Sequence, residues 1–228
     1  MCSDARPLPR PRPSPEGVSM SKKETPTSLP EPRLRRAYRE QVSARVLKEF
    51  GMKNIHQLPK IDKVVINVGV GRHLENQKLK PEYREAVIGT LSTISGQKPI
   101  MILAKKAVSN FKVREGAPSA FMVTLRRERM WNFLDRLINL AMPRIKDFRG
   151  VSDKTFDRQG NFAMGLSEQA VWPEINMANI NHSHGMNINI VFTHSDPKKS
   201  RLVLAELGMP FVKPEETSSK AVAAAAAQ

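Results

Sequence analysis

The sequence predicts an α+β domain: a mostly antiparallel sheet with helices packed on one face, the other face open, and one long projecting loop. Three observations predict it. Stretches whose apolar residues alternate with period two are interleaved with stretches of helical period. Stop signals separate them, among them Gly51, Ser95-Gly96, Pro143, Asp196-Pro197 and Gly208. Two of the strand-like stretches flank a segment rich in Lys, Arg, Gly and Pro, 112–119, which reads as the loop.

In chain order, a helix is expected over 33–50, with Leu34, Ala37, Tyr38, Val42, Val46 and Phe50 at helical spacing. A strand follows over 63–70. Val64, Ile66, Val68 and Val70 share one face, and Lys63, Val65, Asn67 and Gly69 the other. The second helix, 81–94, opens on Pro81 and buries Val87, Leu91 and Ile94. Residues 99–105 read as a strand. So do 120–127, with Phe121, Val123 and Leu125 on one side and Met122, Thr124 and Arg126 on the other. A third helix over 128–142 carries Trp131, Leu134, Leu137, Ile138 and Ala141 and is stopped by Pro143. Short strands are expected near 161–167 and 187–193, the latter with Ile188, Ile190 and Phe192 on one side. The last helix runs from Pro197 to Leu207 with Asp196 as its N-cap.

The ends differ in composition. Residues 1–33 hold eight of the 17 prolines and few large apolar side chains, too little to offset the entropy of ordering, and are expected to be a disordered extension. Residues 213–228 are polar, then Ala-rich, and are expected to be a disordered tail. Between them, 34–212 reads as one domain without internal repeat or linker.

Lys plus Arg number 37 against 22 Asp plus Glu, a net charge of +15, which points to a polyanionic partner. Solubility is the plainer reading of such an excess. A membrane surface fits less well, because there is no basic helix with a clean apolar face. No apolar run approaches the roughly 18 residues of a membrane span. Cys2 is the single cysteine, so no intramolecular disulfide can form, which fits a reducing compartment. The N-terminus has no signal-peptide core. Its Arg, Ser and Pro hint at an organelle transit peptide, while Asp4, Glu16, Glu24 and Glu31 argue against one. Met20 is an alternative start.

The face that carries Lys63, Asn67, Thr124 and Arg126, with Gln97 and Lys98 at the turn into a neighbouring strand, presents short polar groups backed by cations. Such a face suits phosphate, 2′-hydroxyl and base-edge contacts in RNA. A solvated sheet face is the competing reading. Between Lys98 and Arg129 there are eight cations and two acids, so 6 of the 15 net charges fall in one stretch. Localised charge is what counterion release requires. The loop from Lys112 to Pro118 projects a basic tip that either reaches a second nucleic acid or is a mobile hairpin. Catalytic readings fail: Leu74 breaks the glycine pattern begun at Gly69 and Gly71, no phosphate-loop lysine motif occurs, and Cys2 sits in the extension. His182-Ser183-His184 reads as a polar turn, a metal site needing ligands that do not stand nearby in sequence. No metal or cofactor is expected. Trp172, before Pro173, fits either core or a partner contact.

Several ordered segments resemble one family, the large-subunit ribosomal protein five of bacterial type. They are Lys63-Val64-Val65-Ile66-Asn67-Val68-Gly69-Val70-Gly71, Ser95-Gly96-Gln97-Lys98-Pro99, Phe111-Lys112-Val113-Arg114-Glu115-Gly116, Val123-Thr124-Leu125-Arg126 and Glu128-Arg129-Met130-Trp131. They continue through Asp135-Arg136-Leu137-Ile138, Pro143-Arg144-Ile145-Lys146-Asp147-Phe148-Arg149-Gly150, Phe156-Asp157, Gly160-Asn161-Phe162, Glu168-Gln169, Pro173-Glu174-Ile175 and Gly208-Met209-Pro210-Phe211. The resemblance covers about 34–212. It implies a non-catalytic constituent of the large subunit that binds 5S ribosomal RNA in the central protuberance, beside large-subunit ribosomal RNA and the neighbouring 5S-associated proteins. It implies that Asn67, Gln97, Thr124 and Arg126 meet the RNA, with Lys98, Lys105 and Lys106 as phosphate contacts. It implies that the loop with Lys112, Arg114, Gly116 and Pro118 approaches the P-site transfer RNA. Phe148 and Arg149 would lie near a bridge to small-subunit ribosomal protein thirteen. The compartment implied is the cytoplasm, with an organelle of bacterial descent as the alternative. The chain departs from the family at Arg127, where Gly is common, at Ile102-Leu103, where Thr-Lys is common, and at Ser167, where Arg is common. A free-standing RNA chaperone or processing factor using the same face is the runner-up.

Overall fold

The computed structural model describes residues 31–75, 78–111, 113–176 and 182–212. The Pro-rich extension, apart from its last three residues, and the Ala-rich tail lie outside them.

The first helix, α1, spans 33–49: α-helical turns over Arg33–Ala37 and Ser43–Glu49 are joined by one wider π turn, Tyr38–Val42. Leu34, Val42 and Val46 are buried, and the Tyr38 hydroxyl donates to the Pro59 carbonyl at 2.6 Å. Strand β1 is Lys60–Gly69, followed by a small hairpin of β2 (Leu74–Glu75) and β3 (Lys78–Leu79). Helix α2 is Pro81–Ser95, with Pro81 at its first turn and Gly96 ending it at φ +64°. β4 is Ile100–Leu103 and β5 is Pro118–Leu125. Helix α3 spans 127–141, Arg127–Arg136 running into a π turn over Leu137–Ala141, and Pro143 forbids its continuation. β6 is Phe162–Leu166, β7 is Met186–Thr193 and α4 is Pro197–Glu206.

Five strands form one sheet in the order β4-β5-β1-β7-β6, all antiparallel. Helices α2 and α3 lie against β5 and β1, and α1 packs on α3 and α4. The helix-covered face is the apolar one: Val64, Ile66, Val68, Phe121, Val123, Leu125, Ile188, Ile190 and Phe162 are all buried. Each such side chain stabilises the domain by about 1.5–3 kcal/mol through burial alone. This is the α+β arrangement expected, with one face covered and one open.

Three local expectations need correction. β1 begins at Lys60, not Lys63, because a bulge between Ile61 and Lys63 shifts its register against β7. Ile61 and Val64 are both buried, a phase break that simple alternation hides. β4 is shorter than 99–105, since at a sheet edge only Ile100–Leu103 find partners. Asp196 holds the N-cap position without a capping hydrogen bond; its carboxylate instead pairs with Lys199 at 2.9 Å. One open choice is decided: Trp172 belongs to the core, fully buried and stacked on Phe133 at 5.2 Å between ring centroids.

Candidate nucleic-acid interface

The open face is built by the odd phase of β1 and its neighbours. Asn67 faces Met122 on β5 and Asn187 on β7, while Val65 faces Thr124 and Asn189. Gly165 and Ala163 of β6 extend these two rows beyond β7, and Ile100 extends the first beyond β5. The result is a strip of short amides and a hydroxyl across the middle of the sheet, set among small apolar groups. The Asn67 Oδ1 is sheltered and has no hydrogen-bond partner among the described residues. An acceptor left unpaired in this way carries a desolvation cost that a hydrogen bond would remove. A Cβ at Gly165 would stand 3.4 Å from the Asn187 Oδ1, so the glycine keeps that amide accessible from β6.

Gln97 sits where α2 turns into β4. The Ser95 hydroxyl donates to the Leu91 carbonyl at 2.6 Å and accepts from the Gln97 amide at 3.2 Å, which fixes the turn. Lys98 is exposed and has the same strand parity as Ile100, so it lies on the open side at the Thr124 end. Arg126 is exposed just past β5. Asn67, Thr124, Lys98 and Arg126 therefore gather on one half of the open face, and Gln97 lies at its margin, in the turn before Lys98.

Lys105 and Lys106 do not join them. They lie beyond the other end of β4, about 23 Å along an extended chain from Lys98. There the Ala104 carbonyl accepts from the Gly116 amide at 3.0 Å, and the Ala104 amide donates to Ala117 at 2.8 Å. Both lysines thus belong with the base of the projecting loop. Pro118 is not in that loop: it is the first residue of β5, paired with Leu103, where a missing N–H is tolerated. Arg114 and Gly116, the latter at φ +80°, form the exposed turn. Lys112 lies outside the described residues. Phe148 packs half-buried against the core and Arg149 is exposed beside it. The segment is pinned at Val151, whose amide donates to the Pro210 carbonyl at 2.9 Å.

Sequence reasoning missed Asn187 and Asn189. The signal was present in the alternation of β7, whose apolar phase alone was read. It also missed a cluster around Tyr83, where His73 stacks at 4.1 Å and His182 and His184 approach edge-on at 5.5 and 6.4 Å. His184 is buried, and burial, opposed in part by a backbone hydrogen bond at His182, lowers its pKa to about 4. Among the described residues, no group of three metal-ligating side chains is assembled, and no helix is long and apolar enough to cross a membrane.

Residues 54–114 match the family described as "Ribosomal protein L5", and residues 118–211 match the model of the C-terminus of that ribosomal family. The chain is 49% identical over 181 residues to a "Large ribosomal subunit protein uL5" of Caldanaerobacter subterraneus, covering 79% of this chain and 99% of that one. It is 47% identical to the protein of that name from Synechocystis, covering 78% and 97%. With the one from Clostridium botulinum the identity is 47%, covering 80% and 99%. The boundary between the two matched segments falls in the projecting loop. Asn67 comes from the first segment, and Thr124, Asn187 and Asn189 come from the second. The open face exists only when β1 is seated between β5 and β7.

Proposed function

Because the chain belongs to the bacterial-type ribosomal protein L5 family, and is therefore a non-enzymatic structural constituent of the large ribosomal subunit with ribosomal RNA as partner, we propose that its open sheet face binds 5S ribosomal RNA in the central protuberance. The observation that carries this reading is the amide and hydroxyl strip of Asn67, Thr124, Asn187 and Asn189, flanked at one end by Gln97, Lys98 and Arg126. Rigid strands present these groups at fixed spacing, and short polar side chains lose little entropy on binding. Cations at the margin capture the phosphate backbone, and the central amides then read shape and edges. Lys105 and Lys106 act on phosphates beside the loop. The loop, with Lys112, Arg114 and Gly116, approaches the P-site transfer RNA. Phe148 and Arg149 lie toward small-subunit ribosomal protein thirteen, and other 5S-associated proteins are neighbours. The relatives are bacterial, and on that ground we assign the chain to cytoplasmic ribosomes.

The test is a filter-binding titration of 5S ribosomal RNA with Asn67→Ala/Thr124→Ala. Each lost contact is worth on the order of 1 kcal/mol, so affinity falls roughly 30-fold while the thermal midpoint holds. Unchanged affinity moves the site off this face.

A further inference from the structure

Where β5 turns into α3, beside the start of β1, lies a groove of about 730 Å³ lined by Arg35, Lys60, Arg126, Arg127 and Arg129. Two carboxylates, Asp62 and Glu128, share the lining, leaving it net positive by three. Arg35 is engaged by Glu31 at 3.3 Å, and Asp62 lies 4.0 Å from Lys63. The side chains of Lys60, Arg126, Arg127 and Arg129 form no hydrogen bond or ion pair among the described residues. Four cations without a direct partner, set against two carboxylates in the same concavity, leave a net repulsion that a bound anion relieves.

Two backbone irregularities shape the groove. The β1 bulge sits on one wall, at Ile61 and Asp62. On the other, Arg127 adopts φ +55°, a left-handed conformation that costs a non-glycine residue about 1–2 kcal/mol. Buried Ile61, Met130 and Trp131 supply its apolar lining, and Asp62, Glu128 and Thr193 supply its side-chain acceptors, fewer than its five cations. The groove is continuous with the interface described above, because Arg126 lines it and lies two residues from Thr124.

We propose that this groove holds backbone phosphates of an RNA strand that leaves the open face and passes around the end of the sheet, with Lys60, Arg127 and Arg129 as its contacts. The proposal rests on the RNA-binding reading above in naming the polyanion. A groove of about 730 Å³ whose cations come from two elements, and which adjoins the open face at Arg126, suits a phosphodiester backbone rather than a single small anion.

The test is a salt titration of binding by the full chain to two probes, 5S ribosomal RNA and an RNA duplex of unrelated sequence. Arg127→Gly/Arg129→Ala is the informative variant, since glycine suits the left-handed position and folding is preserved. Losing two phosphate contacts lowers the slope of log Kd against log salt by about 1.5 on both probes. Arg127→Lys/Arg129→Lys keeps the slope. The groove proposal is overturned if the Gly/Ala variant keeps the parental slope on both probes, or if the Lys variant loses as much slope as it does. It is likewise overturned if RNA slopes hold but the Gly/Ala variant drops out of assembled subunits, which assigns the groove to an acidic protein. The two readings separate cleanly. If Asn67→Ala/Thr124→Ala leaves 5S affinity intact while the groove variant loses slope, the open-face reading falls and the groove stands.

Discussion

Asn67 on β1 stands directly opposite Asn187 on β7, on the face of the sheet that no helix covers. The pair doubles the amide groups available at the centre of that face, and Asn189 adds a third one row away. Asn187→Ala/Asn189→Ala is therefore expected to weaken 5S ribosomal RNA binding as much as loss of Asn67 and Thr124, by about 1 kcal/mol per contact. An electrophoretic mobility shift measures it, and an unchanged circular-dichroism melt shows that the sheet persists.

Trp172 is one of the largest side chains fully buried in the core. Its ring fills the core against Phe133, and its indole Nε1 has no partner among the described residues. Trp172→Ala should cost about 3–5 kcal/mol in urea unfolding. Trp172→Phe deletes a donor that was already unpaired and should cost much less.

Two glycines predict opposite signs. Gly160 has φ +76°, and a Cβ there would meet the Ser200 Oγ at 2.8 Å and the Asp196 carbonyl carbon at 2.9 Å. Gly160→Ala should destabilise the domain by roughly 2 kcal/mol. Gly89 lies inside α2 with open space where its Cβ would be. Gly89→Ala should stabilise by about 0.5–1 kcal/mol. Parallel urea curves for both variants check the pair.

Stability should depend on pH through His184. Burial, opposed by a backbone hydrogen bond at His182 and aided slightly by His73, lowers its pKa from 6.5 to about 4, so folding favours the neutral ring. Between those values the unfolded chain binds the extra proton, and stability rises with pH. It is complete above about pH 6.5 and is lost as pH falls toward 4, by on the order of 3 kcal/mol. His182, His73 and Tyr83 border the ring, and after an apolar replacement the His182 carbonyl still accepts from the Gln169 amide at 2.9 Å. His184→Leu should flatten the dependence of the urea midpoint between pH 5 and 7.

The alternation of Val64, Ile66 and Val68 made the central strand and its two faces legible, because a half-buried strand imposes period two on the sequence. Asn67 and Thr124 followed from the same pattern. The bulge at Asp62 was not legible, since one inserted residue reverses the phase that the pattern relies on. The histidines around Tyr83 come from three separate segments and no spacing rule joins them. The basic groove escaped for a related reason. Arg127 and Arg129 were counted as part of a linear run, whereas Lys60 and Arg35 reach the same concavity only through the seating of β1 and α1.

The position of β1 in the sheet bears on how the chain is made. Val64 pairs with Leu125 on one side and Ile190 on the other, so the strand that leaves the ribosome first is flanked by partners synthesised much later. At translation rates of about 5–20 residues per second, its apolar edge waits on the order of ten seconds for β7. Non-local pairing of this kind folds slowly. For that interval a nascent chain of this protein carries Val64, Ile66 and Val68 without the strand that completes their burial, and the exposed apolar surface is open to aggregation.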